Sequence, residues 1–316
     1  MRPNLAVKIG KLKLKNPVLV ASGTFGYAEE FADFLGLKQL GAIVTKTITL
    51  SPRQGNVPPR TCETPAGMLN SIGLENPGVE SFMREKLPSL VKIGVPLIVS
   101  IASEKDPDEF RALAKRLDKV REVAAIELNI SCPNIKLAGE RVNGLAGSTR
   151  TLISQDPDST YEVVKAVRKV TSKTLITKLS PNVTDIGEIA QAAERAGADA
   201  IALINTITAM SIDVEARRSK LAMVTGGLSG PAIRPIALRM AWEASRKIKI
   251  PIIGMGGIMD TSSALEFFLA GASAIALGTV NFVNPRAAIQ ILGGIKEYLT
   301  RNKIEDIKDL IGSLKV

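Results

Sequence analysis

The chain has 316 residues, of which 45% are hydrophobic and 23% charged, so it is long enough for one large barrel or two smaller domains. No apolar run approaches the length that spans a bilayer, and the N-terminus lacks the apolar core of a signal peptide. Its two cysteines, Cys62 and Cys132, are too far apart for a disulfide framework or a cysteine metal site. We therefore expect a cytoplasmic protein that needs neither a membrane nor a metal.

The net charge is +10, yet lysine and arginine are spread along the chain and only 4% of the residues are aromatic. Proteins that bind nucleic acid combine clustered basic residues with stacking aromatics, so we expect no nucleic-acid partner. A solvated basic surface, an anionic small ligand and an acidic protein partner are all compatible with the charge. Because histidine is absent, proton transfer near neutral pH must fall to cysteine, lysine, a carboxylate or tyrosine.

The predicted elements begin with an alternating hairpin and continue as short apolar strands that alternate with helices. Strands are predicted at residues 17–21, 41–45, 96–101, 124–129, 174–179, 199–204, 251–255 and 274–277. Helical segments are predicted at residues 28–37, 78–93, 106–120, 158–170, 184–196, 231–247, 261–270, 286–301 and 304–311. Long loops are predicted at residues 51–76, 135–157 and 205–230.

These strands are apolar on both faces, as in a parallel sheet that is covered by helices. Eight βα units in 316 residues predict an α/β fold, a (β/α)8 TIM barrel with an N-terminal β-hairpin and inserted loops at the C-terminal face. The alternative is an open, doubly wound sheet.

In such a barrel, reacting groups lie where the strands end. Those positions hold small, amide, hydroxyl or cationic residues: Ser22, Gly23, Lys46, Thr47, Ser100, Asn129, Cys132, Asn134, Lys178, Asn205, Thr206, Gly256, Gly257, Gly278 and Thr279. They include no carboxylate pair of the kind that glycosidases use. The glycines after the last two strands suit either a phosphate site or ordinary tight turns.

Lys46 and Lys178 end two predicted strands, and a lysine there is costly to bury unless it meets an anion; the alternative is a lysine that reaches solvent. Cys132 follows another strand, and Pro133 stops that strand directly after the thiol. Taken alone, Cys132 is most simply a structural cysteine. Amides near it, among them Asn70 in a glycine-rich loop, would suit a planar ligand with carbonyl and N–H groups, such as a pyrimidine.

Several motifs together resemble the dihydroorotate dehydrogenase family from about Leu5 to Tyr298: NISCPN, TKTITLSPRQGN, MLNSIGLENPG, TGGLSGPAI, IIGMGGI and ALGTV. The closest likeness is to the catalytic subunit of the NAD-linked, two-subunit form. This resemblance implies a single FMN-binding barrel domain over residues 1–316. It also implies oxidation of dihydroorotate to orotate in pyrimidine biosynthesis.

By the same resemblance, Cys132 is the general base that removes a proton from ring carbon 5, while a hydride leaves ring carbon 6 for flavin N5. A thiol suits this role because its unperturbed pKa is about 8.5. Lys46 is the second catalytic residue, between flavin and substrate. The implied substrate contacts are Lys46, Asn70, Ser71, Ile72, Gly73, Leu74, Asn129, Asn134, Asn205 and Thr206. The implied FMN contacts are Ser22, Lys46, Thr47, Asn129, Lys178, Ile204, Gly230, Gly256, Gly257, Gly278 and Thr279.

The NAD-linked form passes electrons to a partner subunit with FAD and a [2Fe-2S] cluster, in an assembly of two plus two subunits. This chain has no spare cysteines for a cluster and no dinucleotide fingerprint after its first strand, so the partner must supply both. Other possibilities are a fumarate-linked single-subunit dihydroorotate dehydrogenase, a dihydropyrimidine dehydrogenase, a tRNA dihydrouridine synthase and a barrel retained as a scaffold.

Two features depart from the family pattern. Ser100 stands where relatives often have an asparagine near the flavin, so we do not include it among the predicted site residues. The segment 136–157 is longer than the usual loop after the catalytic cysteine. It suits a lid, a partner contact or an inert surface insertion equally well.

Overall fold

The computed structural model describes residues 3–103, 107–131 and 153–315. Its strands are β1 (Val7–Ile9), β2 (Leu12–Leu14), β3 (Val18–Val20), β4 (Ala42–Val44), β5 (Thr61–Thr64), β6 (Gly67–Asn70), β7 (Leu97–Ile101), β8 (Val123–Asn129), β9 (Thr174–Lys178), β10 (Ala200–Leu203), β11 (Ile207–Met210), β12 (Ile212–Asp213), β13 (Arg218–Ser219), β14 (Thr225–Ser229), β15 (Ile252–Gly254) and β16 (Ala274–Leu277).

The α-helices are α1 (Gly78–Ser81), α2 (Leu87–Lys92), α3 (Pro107–Asp118), α4 (Pro157–Arg168), α5 (Ile186–Arg195), α6 (Arg234–Ser245), α7 (Thr261–Leu269), α8 (Val280–Val283) and α9 (Ala287–Arg301). A π-helical turn, Phe82–Lys86, joins α1 to α2. In the described parts of the chain, we find no helix with both the length and the apolar character needed to cross a membrane.

Eight parallel strands close into a barrel in the order β3-β4-β7-β8-β9-β10-β15-β16, with β16 pairing back to β3. Each one falls within or overlaps a predicted strand. Strands such as β7 and β9 are buried at every residue, because side chains on one face fill the barrel and those on the other pack beneath the helices. The predicted barrel is therefore confirmed, and the open sheet was the wrong alternative.

The predicted hairpin, β1 and β2, packs at the amino end of the barrel. Its turn uses Gly10 at φ +56°, where a side chain would lie 2.7 Å from Cβ of Asp199. The next residue, Lys11, donates its backbone N–H to Oγ1 of Thr174 at the start of β9, at 3.0 Å. The hairpin thus closes the end of the barrel opposite to the strand ends that carry the predicted site.

A four-stranded antiparallel sheet, β11-β14-β6-β5, lies over the carboxyl end. It arises from the two segments predicted as long loops, 51–76 and 205–230, so that part of the prediction was wrong. The strand β14 begins Thr-Gly-Gly, and glycine is normally poor in strands. Here a side chain at Gly226 would lie 2.7 Å from the backbone O of Asn70, and one at Gly227 would collide with Thr206. Because these glycines have no side chains, the neighbouring segments of the same chain can approach β14 closely.

Two predicted helices are also wrong. Residues 28–37 form only the 3₁₀ turns Glu29–Phe31 and Leu37–Gln39, and residues 304–311 only the 3₁₀ turn Ile307–Asp309. Helices this short are marginal in water, so tertiary packing decides their conformation. In the first segment, the ring of Phe31 stacks on Phe25 with centroids 4.1 Å apart.

Asp260 caps helix α7, which follows the glycine turn after β15. Its Oδ1 accepts a hydrogen bond from the backbone N–H of Ser263 at 2.8 Å. In return, Oγ of Ser263 accepts from the backbone N–H of Met259 and of Asp260, both at 3.0 Å. This capping box fixes the direction in which the chain leaves the turn.

We predict that Asp260→Ala lowers the free energy of unfolding by about 1 kcal/mol, because the first turn of α7 loses its acceptor. Denaturant unfolding measures the loss, and Asp33→Ala at an exposed position is the control, expected to stay within about 0.5 kcal/mol. Hydrogen bonds from the backbone and hydroxyl of Ser263 hold the pKa of Asp260 below its usual range. The part of the wild-type advantage that depends on the ionised carboxylate is therefore complete above about pH 4 and is lost as the pH falls through the folded-state pKa. Equal losses in the two variants would contradict the cap.

Candidate active site

A cavity of about 370 Å³ opens at the carboxyl end of the barrel. Most of its wall is formed by residues that end or follow β3, β4, β8, β9, β10, β15 and β16. The four-stranded sheet contributes Met68, Asn70 and Ser229 from above. The cavity therefore lies between the barrel rim and the inserted sheet, and its volume is in the range of small-molecule sites.

Most of the predicted site residues line this cavity: Ser22, Lys46, Thr47, Asn70, Ile72, Gly73, Leu74, Asn129, Lys178, Ile204, Asn205, Thr206, Gly230, Gly256, Gly257, Gly278 and Thr279. Ser71 is outside the lining; it is fully buried, and its backbone N–H donates to O of Arg60 at 2.8 Å. Successive residues of an extended segment face opposite sides, so Ser71 turns away where Asn70 and Ile72 turn in. Cys132 and Asn134 lie outside the described residues.

One part of the wall connects a lysine to a buried carboxylate. Lys178, at the end of β9, is 4% exposed, and its Nζ donates to Oγ of Ser22 at 3.1 Å. Ser22 in turn donates to Oε1 of Glu127 at 2.9 Å. The ammonium group is thus held at the cavity by a hydroxyl whose own proton points to the carboxylate behind the wall.

A second set of hydrogen bonds reaches the same carboxylate from the other side. Ser100 donates from Oγ to Oε1 of Glu127 at 2.8 Å, and its Oγ lies 2.9 Å from Oγ1 of Thr47. Nδ2 of Asn129 donates to Oγ1 of Thr47 at 3.2 Å. Ser100, which is not among the predicted site residues, does not line the cavity but supports two residues that do, Thr47 directly and Asn129 through Thr47.

The amide of Asn129 continues this network towards β10. Its Oδ1 accepts from Oγ of Ser131 at 3.1 Å and from Nδ2 of Asn205 at 3.4 Å. Asn205 also donates to Oγ of Ser131 at 2.9 Å and accepts the backbone N–H of Thr206 at 2.8 Å. Each amide therefore has a defined orientation before any ligand binds.

The glycine turns after β15 and β16 differ in how tightly they pack. Gly257 has φ +72°, and a side chain there would lie 2.9 Å from both N of Arg234 and O of Gly230. A side chain at Gly278 would meet no protein atom within 4 Å, so this backbone faces the open cavity. Beside it, Oγ1 of Thr279 donates to Oγ of Ser229 at 2.8 Å.

Tyrosine remained a possible proton-transfer group on sequence grounds. Tyr27 follows β3, but it is not part of the cavity wall. Burial, and then the negative charge of Glu30, raises the pKa of Tyr27 to about 12. Its hydroxyl therefore stays protonated at neutral pH and does not serve as a base.

Sequence reasoning missed the residues that the inserted sheet and its loops bring to the cavity. They include Arg60, Thr61, Met68, Glu75 and Ser229, and also Phe282 from α8. It also missed Glu127, although a carboxylate inside an otherwise apolar strand was a signal that could have found it. The positions from the sheet carried no such signal, because the sequence predicts loops for both of their segments.

A closed (β/α)8 barrel with lysines, amides and glycine turns around one cavity at its carboxyl end defines an enzyme of the barrel class. The chain belongs to the dihydroorotate dehydrogenase family, whose model matches residues 4–299. The family expected from the sequence motifs is therefore confirmed.

Curated relatives match the chain over nearly its whole length. A protein of Trichlorobacter lovleyi, named dihydroorotate dehydrogenase B (NAD(+)), catalytic subunit, is 53% identical over 315 residues, which cover 100% of each chain. Proteins with the same name from Geotalea daltonii and Thermoanaerobacter pseudethanolicus are each 52% identical, over 100% and 99% of this chain and 99% of theirs.

Proposed function

We propose that this chain oxidises (S)-dihydroorotate to orotate in pyrimidine biosynthesis, with FMN in the described cavity and residues 1–316 acting as one barrel domain. The observation that carries the proposal is the meeting of Lys46, Lys178 and Asn129 in one cavity of a chain that belongs to this family. These groups come from three different strands, so only the closed barrel brings them together.

The residues present fit FMN. Open space next to Gly278 leaves room for a phosphate against the backbone, and the hydroxyl of Thr279 lies beside it. Gly256, Gly257, Ser22, Thr47, Ile204 and Gly230 would complete the contacts with the cofactor. When bound, FMN supplies the acceptor for the hydride. Lys46 and Lys178 would place positive charge where the reduced cofactor becomes electron-rich.

Substrate binding falls to the amides and to the loop after β6. Asn70, Asn129 and Asn205 offer both donors and acceptors, which match the ring carbonyl and N–H groups of dihydroorotate. Lys46 offers a cation to the substrate. The neighbouring Ile72, Gly73, Leu74 and Thr206 line the same region. We propose that Asn134 belongs to the substrate site as well, whereas Ser71, which is buried outside the lining, does not contact the substrate.

Cys132 is the proposed general base for the proton on ring carbon 5. It follows Ser131, a buried residue bonded to both Asn129 and Asn205. A thiol can take this proton near neutral pH once its thiolate is modestly stabilised. The chain has no histidine to compete for the role.

The relatives are named catalytic subunits, which implies a partner subunit. We propose that this partner carries FAD and a [2Fe-2S] cluster, passes electrons to NAD and joins the chain in an assembly of two plus two. The chain's two cysteines support this division of labour, since a cluster of that kind takes four cysteine ligands.

We predict that Cys132→Ala slows reduction of bound FMN by dihydroorotate by about 10²- to 10⁴-fold, because the base for the proton is lost. FMN should remain bound, and rapid-mixing absorbance of the flavin measures the rate. Cys62→Ala is the matched control, since Cys62 lies on β5 and does not line the cavity. An unchanged rate in Cys132→Ala would remove this thiol from the mechanism.

A methyl group at Gly278 should weaken FMN binding by roughly tenfold to a hundredfold, because overfilling a fitted site costs about 1–3 kcal/mol. Gly278→Ala should fold normally, as no protein atom lies near the added carbon. Titration of apoprotein by flavin fluorescence measures the affinity. Gly293→Ala, another position with open space but in α9, is the control and should bind FMN like the wild type. Wild-type affinity in Gly278→Ala would place the cofactor elsewhere.

We further predict that the isolated chain, loaded with FMN, reduces artificial dyes with dihydroorotate but does not reduce NAD. Adding the partner subunit should confer NAD reduction, which absorbance of NADH records. Appreciable NAD reduction by the isolated chain would overturn the division of labour between two subunits.

A further inference from the structure

Glu127 is a buried carboxylate that the proposed mechanism does not use. It lies inside β8, is 2% exposed and does not line the cavity. A buried carboxylate is costly unless it accepts strong hydrogen bonds, and Glu127 accepts from Ser22 at 2.9 Å and from Ser100 at 2.8 Å. The two serines thus stabilise the carboxylate of Glu127 directly behind the cavity wall.

Glu127 also sets the direction of the hydrogen bonds in that wall. A hydroxyl has a single proton to donate, and Ser22 and Ser100 both donate theirs to Glu127. Ser22 can therefore only accept from Lys178, and Ser100 can only accept from Thr47. Both chains of donors end at the same carboxylate oxygen, so every group along them is oriented by it.

The charge of Glu127 acts on the same part of the cavity as that of Lys178. Only the hydroxyl of Ser22 separates the carboxylate from the ammonium group, and Glu127 and Lys178 are almost wholly buried. Charges this close in a poorly screened interior influence each other and any nearby ligand strongly. Glu127 thus offsets part of the positive potential that Lys178 brings to the cavity.

We propose that Glu127 is a positioning residue that orients Lys178 and Thr47 through Ser22 and Ser100, and that its negative charge lowers the reduction potential of FMN in the cavity. The inference rests on the proposed function in one respect, that FMN binds there. Reduced FMN carries more negative charge than oxidised FMN, so a fixed carboxylate nearby disfavours the reduced form.

Glu127→Gln tests this, because glutamine keeps an oxygen acceptor for both serines and removes the charge. We expect the ratio of the dissociation constants for oxidised and reduced FMN to rise roughly tenfold, which corresponds to a potential about 30 mV more positive for a two-electron couple. Equilibration with a reference dye measures the potential, and fluorescence titration of apoprotein measures the affinity for oxidised FMN. Glu127→Asp keeps the charge and should stay near the wild-type potential.

Equal potentials in Glu127→Gln and the wild type would overturn the proposal. It would also be overturned if Glu127→Asp shifted the potential as much as Glu127→Gln does, because packing and not charge would then be the cause. If Glu127→Gln does not fold, the double variant Glu127→Leu with Ser100→Ala takes its place. It removes the carboxylate together with one donor, and the partly exposed Ser22 can then donate to solvent. An unshifted FMN potential in this double variant would also overturn the proposal. A wild-type protein that binds no FMN would instead refute the proposed function, and the inference with it.

Discussion

Closure of the barrel is the constraint on which the other features depend. Each of the eight strands pairs with two neighbours and every one of these pairings is parallel, so the carboxyl ends of all eight strands meet at one rim. Lys46, Asn129, Lys178 and Asn205 are far apart in the chain, yet each ends or follows one of these strands. Their convergence is a result of strand pairing, and no local sequence signal is needed to bring them together.

This explains why so much of the site could be predicted. Buried parallel strands are short, apolar and easy to recognise, and once their ends are known the rim residues follow. The resemblance to a family then assigned roles to those residues. The inserted sheet was missed for the opposite reason: β14 is rich in glycine, and its strand character comes from neighbours that approach it closely, which a sequence of one chain does not reveal.

Glu127 is a residue whose burial in β8, but not its contacts, could be predicted from the sequence. Its two serine donors are far apart in the chain, one after β3 and one in β7, and their hydroxyl directions are defined only in the folded protein. The same holds for Ser100, which is not among the site residues predicted from the sequence. In the folded protein this serine links Thr47 to the carboxylate of Glu127 by hydrogen bonds.

The inserted sheet also has a consequence for the order of assembly. Asn70 of β6 bonds to the backbone of Gly227 in β14, a residue 157 positions later in the chain. Contacts between such distant segments form slowly, because a long loop must close before they are made. During synthesis, the four-stranded sheet over the cavity cannot form until β14 has left the ribosome, and by then six of the eight barrel strands have been synthesised. Completion of the cavity is thereby tied to a late step in folding, because a chain truncated before β14 would lack β14, β15 and β16, and with them both the sheet over the cavity and the closure of the barrel.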